Sequence, residues 1–405
     1  MHILFLTDNF PPEGNAPATR TFEHAREWVN MGHKVTVITC VPNFPEGKVY
    51  EGYKNKWLTK EVIGGINIWR VKTYITANKG FVRRTIDFMS FMVSSFFFGL
   101  FTKNVQVVIG TSPQFFTVIS AWALAKLKRI PFVFELRDIW PASISAVGVM
   151  KRSFAMKILE NFELFLYRQA DLIISVTHSF KLELKDRGIA AEKIQVVLNG
   201  VDLSKYEPLS KKDKEFSKKY DLEGKFVAGY IGTHGLAHAL ENIIEAADLL
   251  KADDDIRIIF VGGGAERSRL EGLIKSKGLT NLIMIPRQPK DNMQRVWSLC
   301  DVSLISLRNK PLFSKVIPSK IFESMAMGLP IIISLPKGEA TEIIKKHKTG
   351  LVVTPENSNS IYEAIKNLKK DKSMYQEFAK NSRLASKIFD RKNLAVEMEK
   401  HIKDL

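Results

Sequence analysis

Short apolar runs alternate with helix-like segments twice along this chain of 405 residues, and this alternation limits the fold more than any other feature. In the first half, the runs that are typical of strands fall at 3–6, 35–39, 66–71, 105–109, 132–136 and 172–176. In the second half they fall at 226–231, 256–261, 282–285, 302–306, 331–334 and 351–353. Strands that alternate with helices form mostly parallel sheets, and ligands bind beyond the carboxyl ends of such strands. We therefore predict an α/β protein with two Rossmann-like parallel-sheet domains.

The length and a charged, lysine-rich passage at 204–224 indicate the domain limits. The chain is long enough for two domains of about 200 residues. The passage suits a linker with a short helix. We predict a first domain at 1–205 and a second at 222–385, with a polar helical stretch at the end of the chain.

The formal net charge of +17 favours polyanions or an anionic membrane surface as partners. No basic segment with interleaved aromatic residues indicates nucleic acid, so we expect no nucleic-acid partner. Cys40 and Cys300 lack the spacing of a metal or redox site, which favours a reducing, cytoplasmic compartment. The N-terminus suits a first strand rather than a signal peptide, and no G-x-G-x-x-G motif follows it, which argues against a nicotinamide dehydrogenase.

The segment 86–101 departs from the pattern of a soluble domain because it contains six phenylalanines. It is too short to span a bilayer, which needs about 20 apolar residues. Lys79, Arg83 and Arg84 precede it, and Lys103 follows it. Two interpretations stay open: a fully buried core helix, or, as we prefer, a membrane-contact segment at 79–103 that lies on an anionic membrane.

The stretch 318–330 holds the best binding-site candidates that the residues alone suggest. Its prolines and glycine suit the start and end of a helix, and Ser319 suits the N-terminal cap. Lys320 and Glu323 are three residues apart and share one side of that helix. A lysine at a helix N-terminus favours an anion, and a carboxylate one turn further in can accept hydrogen bonds from a sugar diol. The phosphates and ribose of a nucleotide would fit these functions; the alternative is a solvated helix pair.

Three blocks of this sequence resemble glycosyltransferase family 4. Glu323-Ser-Met-Ala-Met-Gly-Leu-Pro330 resembles its E-A-M-A-x-G-x-P signature, and Asn199-Gly-Val-Asp202 resembles its N-G-V-D element. Arg137-Asp-Ile-Trp-Pro141 resembles a block of the WbuB-like group, which builds bacterial surface polysaccharides. The resemblance implies the GT-B fold, with two Rossmann-like domains facing across a cleft and a final helix at 386–405 that returns to the first domain. It also implies a nucleotide-sugar donor, a lipid-linked saccharide acceptor and retention of anomeric configuration. The sequence shows no cluster of metal-ligating residues, and we expect no metal and no cofactor.

The resemblance implies donor-binding residues as well. Glu323 carries over as the carboxylate that meets the ribose, Arg287 follows a strand where the family holds the base, and Glu339 follows a strand on the side of the sugar or phosphates. The other candidates lie in glycine-containing loops and at the helix start: Gly14, Asn15, Gly232, Thr233, His234, Gly235, His238, Ser319 and Lys320. Structural loops and a surface turn are the alternative explanations for the loop residues and for Glu339.

Two places depart from the family pattern. Thr233 and His238 stand where many members have an arginine and a lysine that bind the phosphates. Lys315 stands eight positions before Glu323, where the family has a glutamate that meets hydroxyls of the donor sugar. Loss of that carboxylate would suit a deoxy or amino sugar, which has fewer hydroxyls.

Arg137 and Asp138 are the candidate catalytic residues, because they follow directly after a strand. Together with Trp140 they would project from the carboxyl end of the sheet. Asp138 would orient the acceptor hydroxyl or assist its deprotonation. The alternative is a salt bridge between Asp138 and Arg137 or another base.

The resemblance therefore implies a retaining glycosyltransferase that moves a sugar, such as N-acetyl-fucosamine, from a nucleotide donor to a lipid-diphosphate-linked saccharide in O-antigen or capsule biosynthesis. UDP is the expected nucleotide. We expect a cytoplasmic protein in peripheral contact with the inner face of the plasma membrane. Two alternatives stay open: a GT-B nucleotide-sugar 2-epimerase, and a non-catalytic nucleotide-sugar-binding partner of a polysaccharide assembly complex, which the two departures favour.

Overall fold

The computed structural model describes residues 1–44, 46–77, 81–139 and 154–405. The strands are β1 (His2–Leu6), β2 (Lys34–Cys40), β3 (Leu58–Ile63), β4 (Ile66–Val71), β5 (Val107–Thr111), β6 (Phe132–Leu136), β7 (Leu172–Ser175), β8 (Ile194–Val196), β9 (Phe226–Thr233), β10 (Ile256–Gly263), β11 (Leu282–Ile285), β12 (Val302–Ser306), β13 (Ile331–Ser334) and β14 (Gly350–Val353). The helices are α1 (Ala16–Asn30), α2 (Phe81–Leu100), α3 (Phe115–Lys128), α4 (Phe154–Gln169), α5 (His178–Asp186), α6 (Lys214–Lys219), α7 (Glu241–Leu249), α8 (Arg267–Ser276), α9 (Met293–Trp297), α10 (Lys320–Ala326), α11 (Glu339–His347), α12 (Ser358–Lys370), α13 (Lys372–Ser386) and α14 (Arg391–Lys403).

The chain divides into two compact units, Met1–Leu198 with Arg391–Leu405, and Asn199–Asp390. Each unit is built on one mainly parallel sheet, so the predicted α/β class is confirmed. The domain limits given above stay predictions. Every predicted strand is present, with ends that differ by at most two residues.

The first unit contains an eight-stranded sheet in the order β3-β4-β2-β1-β5-β6-β7-β8. All neighbouring strands are parallel except β3, which pairs antiparallel with β4 at the edge. The central strands are buried on both faces, which explains their continuous apolar sequence. The strand order reverses between β1 and β5, and ligands bind beyond the carboxyl ends of strands at such a point.

The last helix belongs to the first unit. Helix α14 contributes Leu394 and Met398 to the core around Trp28, whose indole N–H donates to the carbonyl oxygen of Ala395 at 3.0 Å. It begins at Arg391 rather than at 386, because α13 runs to Ser386 and a 3₁₀ turn separates the two helices.

The second unit contains a fully parallel sheet in the order β11-β10-β9-β12-β13-β14. In chain order this is 3-2-1-4-5-6, the order of dinucleotide-binding folds. The reversal falls between β9 and β12. The segments after these two strands are therefore where a ligand of this unit is expected.

Helix α2 covers the phenylalanine-rich segment, and one of its faces is exposed. Phe91 and Ser95 are fully buried on the inner face, and Ser95 shares a hydrogen bond with Ser120 at 2.9 Å. On the outer face Val93 is 61% exposed and Phe97 is 53% exposed. The interpretation as a fully buried core helix is therefore wrong. Among the residues that the structure describes, no helix is both long enough and apolar enough to cross a membrane.

Candidate functional site

Lys320, in the first turn of α10, lies beside the carboxyl end of β9. Its Nζ is buried and has no hydrogen-bond partner within the described chain. It lies 3.8 Å from the centroid of the Tyr230 ring, and a Cβ built on Gly232 would be 2.9 Å from it. Burial lowers the pKa of Lys320 to about 7, although the charge of Glu323 acts in the opposite direction. The site thus holds a buried lysine whose Nζ is available to donate hydrogen bonds to a ligand.

Two histidines of the segment after β9 lie beside the same tyrosine. The ring centroids of His234 and His238 are 6.1 Å and 5.8 Å from that of Tyr230. His234 is fully buried, and neither of its ring nitrogens has a hydrogen-bond partner among the described residues; the same is true of Nδ1 of His238. Burial, with the charges of Arg267 and Lys320, lowers the pKa of His234 to about 4. Burial, with the charge of Lys320, lowers the pKa of His238 to about 3, so both rings are neutral hydrogen-bond donors at neutral pH.

The second glycine run packs directly against this segment. Gly262 and Gly264 have φ angles of 144° and 151°. A Cβ on Gly262 would overlap the carbonyl oxygen of Gly232, and a Cβ on Gly264 would overlap that of His234. The amide N–H of His234 donates to the carbonyl oxygen of Gly263 at 2.8 Å. The glycines are therefore needed because the two backbones touch.

Glu323 lies one turn after Lys320 in α10, as predicted. Its Oε2 accepts a hydrogen bond from Nε1 of Trp297 at 3.3 Å. The helix ends with Gly328 in the left-handed region, at a φ of 65°, which confirms the predicted stop. Ser319 occupies the N-cap position, but its side chain makes no cap hydrogen bond, so the predicted capping role is wrong. Its backbone has already entered the helical region, at φ −59° and ψ −26°.

Four further candidates for binding the nucleotide-sugar lie in the second unit. Thr233 is the exposed last residue of β9, and its carbonyl oxygen accepts a hydrogen bond from the Tyr230 hydroxyl at 2.7 Å. Gly235 precedes a 3₁₀ turn. Arg287 is exposed in the segment after β11. Glu339 is the first residue of α11, after β13.

Arg308 is a further candidate site residue, which sequence reasoning missed. Its guanidinium donates to the carbonyl oxygen of Leu236 at 2.7 Å and pairs with Glu241 at 2.7 Å and Glu356 at 3.2 Å. Its own amide N–H donates to the carbonyl oxygen of Ala237 at 2.9 Å. Arg308 therefore holds the segment that carries the histidines. The available signal was its position just after β12, across the switch point from β9.

In the first unit, Asn15 caps α1. Its Oδ1 accepts from the amide N–H of Ala18 at 2.9 Å, and its Nδ2 donates to Oδ1 of Asn9 at 2.7 Å. Gly14 precedes it in the same loop. These contacts give Asn15 a structural role, whatever else it binds.

Arg137 and Asp138 follow β6 and are held by Ser112, whose Oγ accepts from their amide N–H groups at 2.8 Å and 3.3 Å. Burial lowers the pKa of Arg137 to about 10, and its Nη1 has no hydrogen-bond partner in the described ranges. Buried Glu135, paired at 2.7 Å with Arg20, favours its charged form. Trp140, predicted beside them, lies outside the described residues, as do Lys79 and Pro141.

Asp8 is a second candidate that sequence reasoning missed, although it follows almost directly after β1. Its Oδ2 accepts from Nε2 of Gln114 at 2.7 Å, while Oδ1 has no partner in the described part of the chain. Burial, with the charges of Asp87 and Glu13, raises the pKa of Asp8 well above its usual range. Burial also raises the pKa of Asp87 to about 7. A ligand with several hydroxyl donors would suit these oxygens.

The described residues contain no group of three or more histidine, cysteine, aspartate or glutamate side chains that could hold a metal ion. Lys320, the neutral imidazoles of His234 and His238 and nearby backbone N–H groups can donate hydrogen bonds to a negatively charged ligand in a buried site.

Comparisons with known proteins identify the family of this chain. A model described as Glycosyltransferase Family 4 matches residues 18–205, and a model described as Glycosyl transferases group 1 matches residues 211–385. The chain is 27% identical over 341 residues to a protein of Escherichia coli K12 named as a colanic acid biosynthesis glycosyl transferase, WcaI, with 82% of this chain and 83% of that one covered. It is 23% identical over 258 residues, 64% of this chain and 67% of the other, to the N-acetylgalactosamine-N,N'-diacetylbacillosaminyl-diphospho-undecaprenol 4-alpha-N-acetylgalactosaminyltransferase of Campylobacter jejuni.

The fold is also that of solved glycosyltransferase structures. Anabaena Alr3699/HepE in complex with UDP-glucose superposes with a TM-score of 0.75 at 15% identity, covering 100% of both chains. This similarity shows the fold, and the two family models show the family. The chain therefore belongs to the glycosyltransferases, with a family 4 N-terminal part and a group 1 C-terminal part, and it is a transferase of the GT-B class.

Proposed function

We propose that this glycosyltransferase moves a sugar from a UDP-linked donor, with retention of configuration, to a hydroxyl of a lipid-diphosphate-linked saccharide in surface-polysaccharide biosynthesis. The main support for binding of the UDP-linked donor is Lys320. This buried amine has no hydrogen-bond partner in the described chain and lies at the switch point of the second sheet. A buried polar group without a partner is costly, so its surroundings favour a ligand that supplies acceptors. A diphosphate supplies several.

The donor would be held by three kinds of group. Lys320 would bind the phosphates, and the neutral rings of His234 and His238 would donate hydrogen bonds to phosphate or sugar oxygens. Glu323 would accept hydrogen bonds from the ribose diol while Trp297 fixes its orientation. Stabilising the charge that develops on the leaving diphosphate is then the main catalytic task of the second unit.

The proposed binding of the acceptor is supported by residues of the first unit and by the family resemblance. Asp138, held by Ser112, would orient the acceptor hydroxyl, and Arg137 would supply positive charge nearby. In the retaining route the leaving phosphate takes the acceptor proton, so no enzyme nucleophile is needed. The relatives support a lipid-linked acceptor, because the Campylobacter enzyme is named for a diphospho-undecaprenol substrate. Lys315, in place of the family glutamate, supports a deoxy or amino sugar such as N-acetyl-fucosamine.

A thermal-shift panel of UDP, GDP, ADP and TDP without added metal tests binding of the donor. A ligand that binds the native state raises Tm, and we expect the largest rise with UDP and a smaller rise with UDP in the Lys320→Met variant. Transfer of radiolabelled sugar to a lipid-diphosphate saccharide then tests the reaction. Binding without transfer to any acceptor would favour the non-catalytic partner, and sugar-nucleotide turnover without an acceptor would favour the epimerase. No shift with any nucleotide at millimolar concentration would overturn the proposal.

We also propose that the outer face of α2 rests on an anionic membrane, which would bring the protein to a lipid-linked acceptor. Apolar side chains recur on this face at spacings of three and four residues and are all exposed: Val82, Ile86, Met89, Val93, Phe97 and Leu100. Exposed basic residues lie at both ends of the stripe, Arg83 and Arg84 at its start and Lys103 at its end. An apolar stripe with basic ends suits the boundary between acyl chains and anionic headgroups.

Sedimentation with vesicles tests this contact. The full-length protein should sediment with vesicles that contain phosphatidylglycerol and much less with pure phosphatidylcholine. Replacing Val93 and Phe97 by aspartate should reduce sedimentation at least about ten-fold, because two apolar anchors are lost. Leu182→Asp is the matched control, since Leu182 is 59% exposed on α5, away from α2 in the sequence. Equal sedimentation of the double variant and the control would rule out this face as the contact.

A further inference from the structure

The amine of Lys320 lies in surroundings that favour its neutral form. Its Nζ is buried, with no hydrogen-bond acceptor for its hydrogens within the described residues, and the face of the Tyr230 ring at 3.8 Å offsets only part of the cost of burying the charge. The carboxylate of Glu323, on the same helix, accepts a hydrogen bond from Trp297 instead. An ammonium group that is buried without acceptors gives up its proton more readily than one in water.

We propose that the site takes up one proton from solvent together with the donor diphosphate. In the empty site Lys320 is largely an amine at slightly alkaline pH; when the diphosphate is bound, the proton joins Nζ and the resulting ammonium donates to phosphate oxygens. No covalent bond between heavy atoms changes. The inference rests on the proposed function, since it assigns the diphosphate to this site.

The other titratable groups that face Lys320 do not take this proton. His234 and His238, in the segment after β9, have pKa values lowered to about 4 and about 3, so they are neutral above pH 6. Burial raises the pKa of Tyr230, on β9, well above its usual range, so it keeps its proton. Glu323 on α10 attracts a proton to Lys320 by its negative charge. Lys320, with a pKa of about 7, is therefore the group whose protonation a diphosphate would change.

Because of proton uptake, the site becomes positively charged only when it binds a negatively charged ligand. The empty site is close to neutral at Nζ and the occupied site is cationic, so a doubly charged diphosphate gains more than a neutral or singly charged ligand of the same shape. Raising the pH above the pKa of Lys320 in the empty site should then weaken diphosphate binding, because one proton has to be taken from solvent for each diphosphate bound.

Isothermal titration calorimetry with UDP at pH 8, in Tris and in HEPES, counts the protons from the difference in heat between the two buffers. The terminal phosphate of UDP is fully ionised there, because its second pKa is about 6. From the pKa of about 7 for Lys320, we expect uptake of about 0.9 proton per UDP. The same value predicts that the UDP dissociation constant rises about five-fold from pH 7 to pH 8.

Two variants locate the proton. Lys320→Met should bind UDP more weakly, without proton uptake and without the pH dependence. Lys346→Met, at an exposed position on α11, should behave like the wild type. The wild-type proton count needs no variant, so it stays decisive even if Lys320→Met does not fold.

The outcomes separate this inference from the proposed function. UDP binding with no proton uptake at pH 8, or uptake that persists in Lys320→Met, overturns the inference and leaves the donor site in place. No binding of UDP, GDP, ADP or TDP at any pH between 6 and 8 overturns the proposed function itself.

Discussion

Trp297 donates its indole N–H to Oε2 of Glu323 across 3.3 Å, and this bond joins α9 to the helix that carries Lys320. This hydrogen bond is consistent with two roles for the carboxylate of Glu323. Glu323 is either a structural acceptor for a buried tryptophan or, with its orientation fixed by that tryptophan, the acceptor of a ribose diol. One conservative substitution, tested with two ligands, separates the two roles.

Glu323→Gln keeps an oxygen for Trp297 but removes the charge that strengthens hydrogen bonds from ribose hydroxyls. If the carboxylate binds ribose, the dissociation constant of UDP should rise about ten-fold or more, since hydrogen bonds to charged groups contribute about 1.5–3 kcal/mol. The affinity of inorganic pyrophosphate, which has no ribose, should change much less than that of UDP between Glu323→Gln and the wild type. Calorimetry with both ligands measures this. A glutamine variant that binds UDP as the wild type does would leave only the structural role.

Two neighbouring glycines at the end of β10, Gly262 and Gly263, should respond differently to substitution by alanine. Gly262→Ala should be destabilised by about 2–4 kcal/mol, because the new Cβ would overlap the carbonyl oxygen of Gly232 and the φ of 144° is strained for any side chain. Gly263→Ala, one residue further on, should change stability by less than about 0.5 kcal/mol, because nothing lies within 4 Å of its Cβ. Urea unfolding followed by tryptophan fluorescence compares the two. Equal stability of both variants would mean that the contact between the two loops is not a constraint.

The fold was predictable because its strands are buried on both faces, and burial leaves a continuous apolar run that can be read directly. Strand β3 was missed for the converse reason. It is an antiparallel edge strand, partly exposed, in which Lys60 and Glu61 interrupt the apolar pattern. Strand β8 was missed because it has only three residues.

The site was predictable where a polar residue interrupts an apolar helix face, as at Lys320 and Glu323. It was not predictable where the role depends on packing between elements distant in the sequence. Tyr230 is indistinguishable from any other buried strand residue until α10 places an amine over its ring. Asp8 could have been found, because an acid just after a buried strand lies at the edge where ligands bind.

Asp8 also predicts how stability varies with pH. Burial raises its pKa above the usual 3.8, so its contribution to stability is fully present only below that value and is lost as the pH rises towards the raised pKa. Asp8→Asn removes the buried charge and keeps an amide oxygen for Gln114. Its Tm should exceed that of the wild type at pH 8, by about 2–4 °C for each kcal/mol relieved, with a smaller difference at pH 5.

Calorimetric melts at the two pH values test this prediction. Asp186→Asn is the matched control, because Asp186 is exposed on α5 and should leave Tm unchanged at both. A gain of equal size at pH 5 and pH 8 would mean that the charge of Asp8 is not its cause. A loss of sugar transfer in a stabilised Asp8→Asn would add that this carboxylate serves the acceptor side.

The last prediction concerns the ion pair of Arg20 and Glu135, because both side chains are buried. The two side chains are 2.7 Å apart and about 1% exposed, and Arg20 also donates to the carbonyl oxygens of Val197 and Leu198. Arg20→Met leaves the carboxylate of Glu135 without this partner, and breaking one side of a buried pair costs about 3–5 kcal/mol. The exposed pair of Lys345 and Glu342, at 3.1 Å, gives the contrast: Lys345→Met should cost less than about 0.5 kcal/mol. If urea unfolding gave Arg20→Met a cost as small as that of Lys345→Met, the nearby guanidinium of Arg137 would have to be the partner that keeps Glu135 charged.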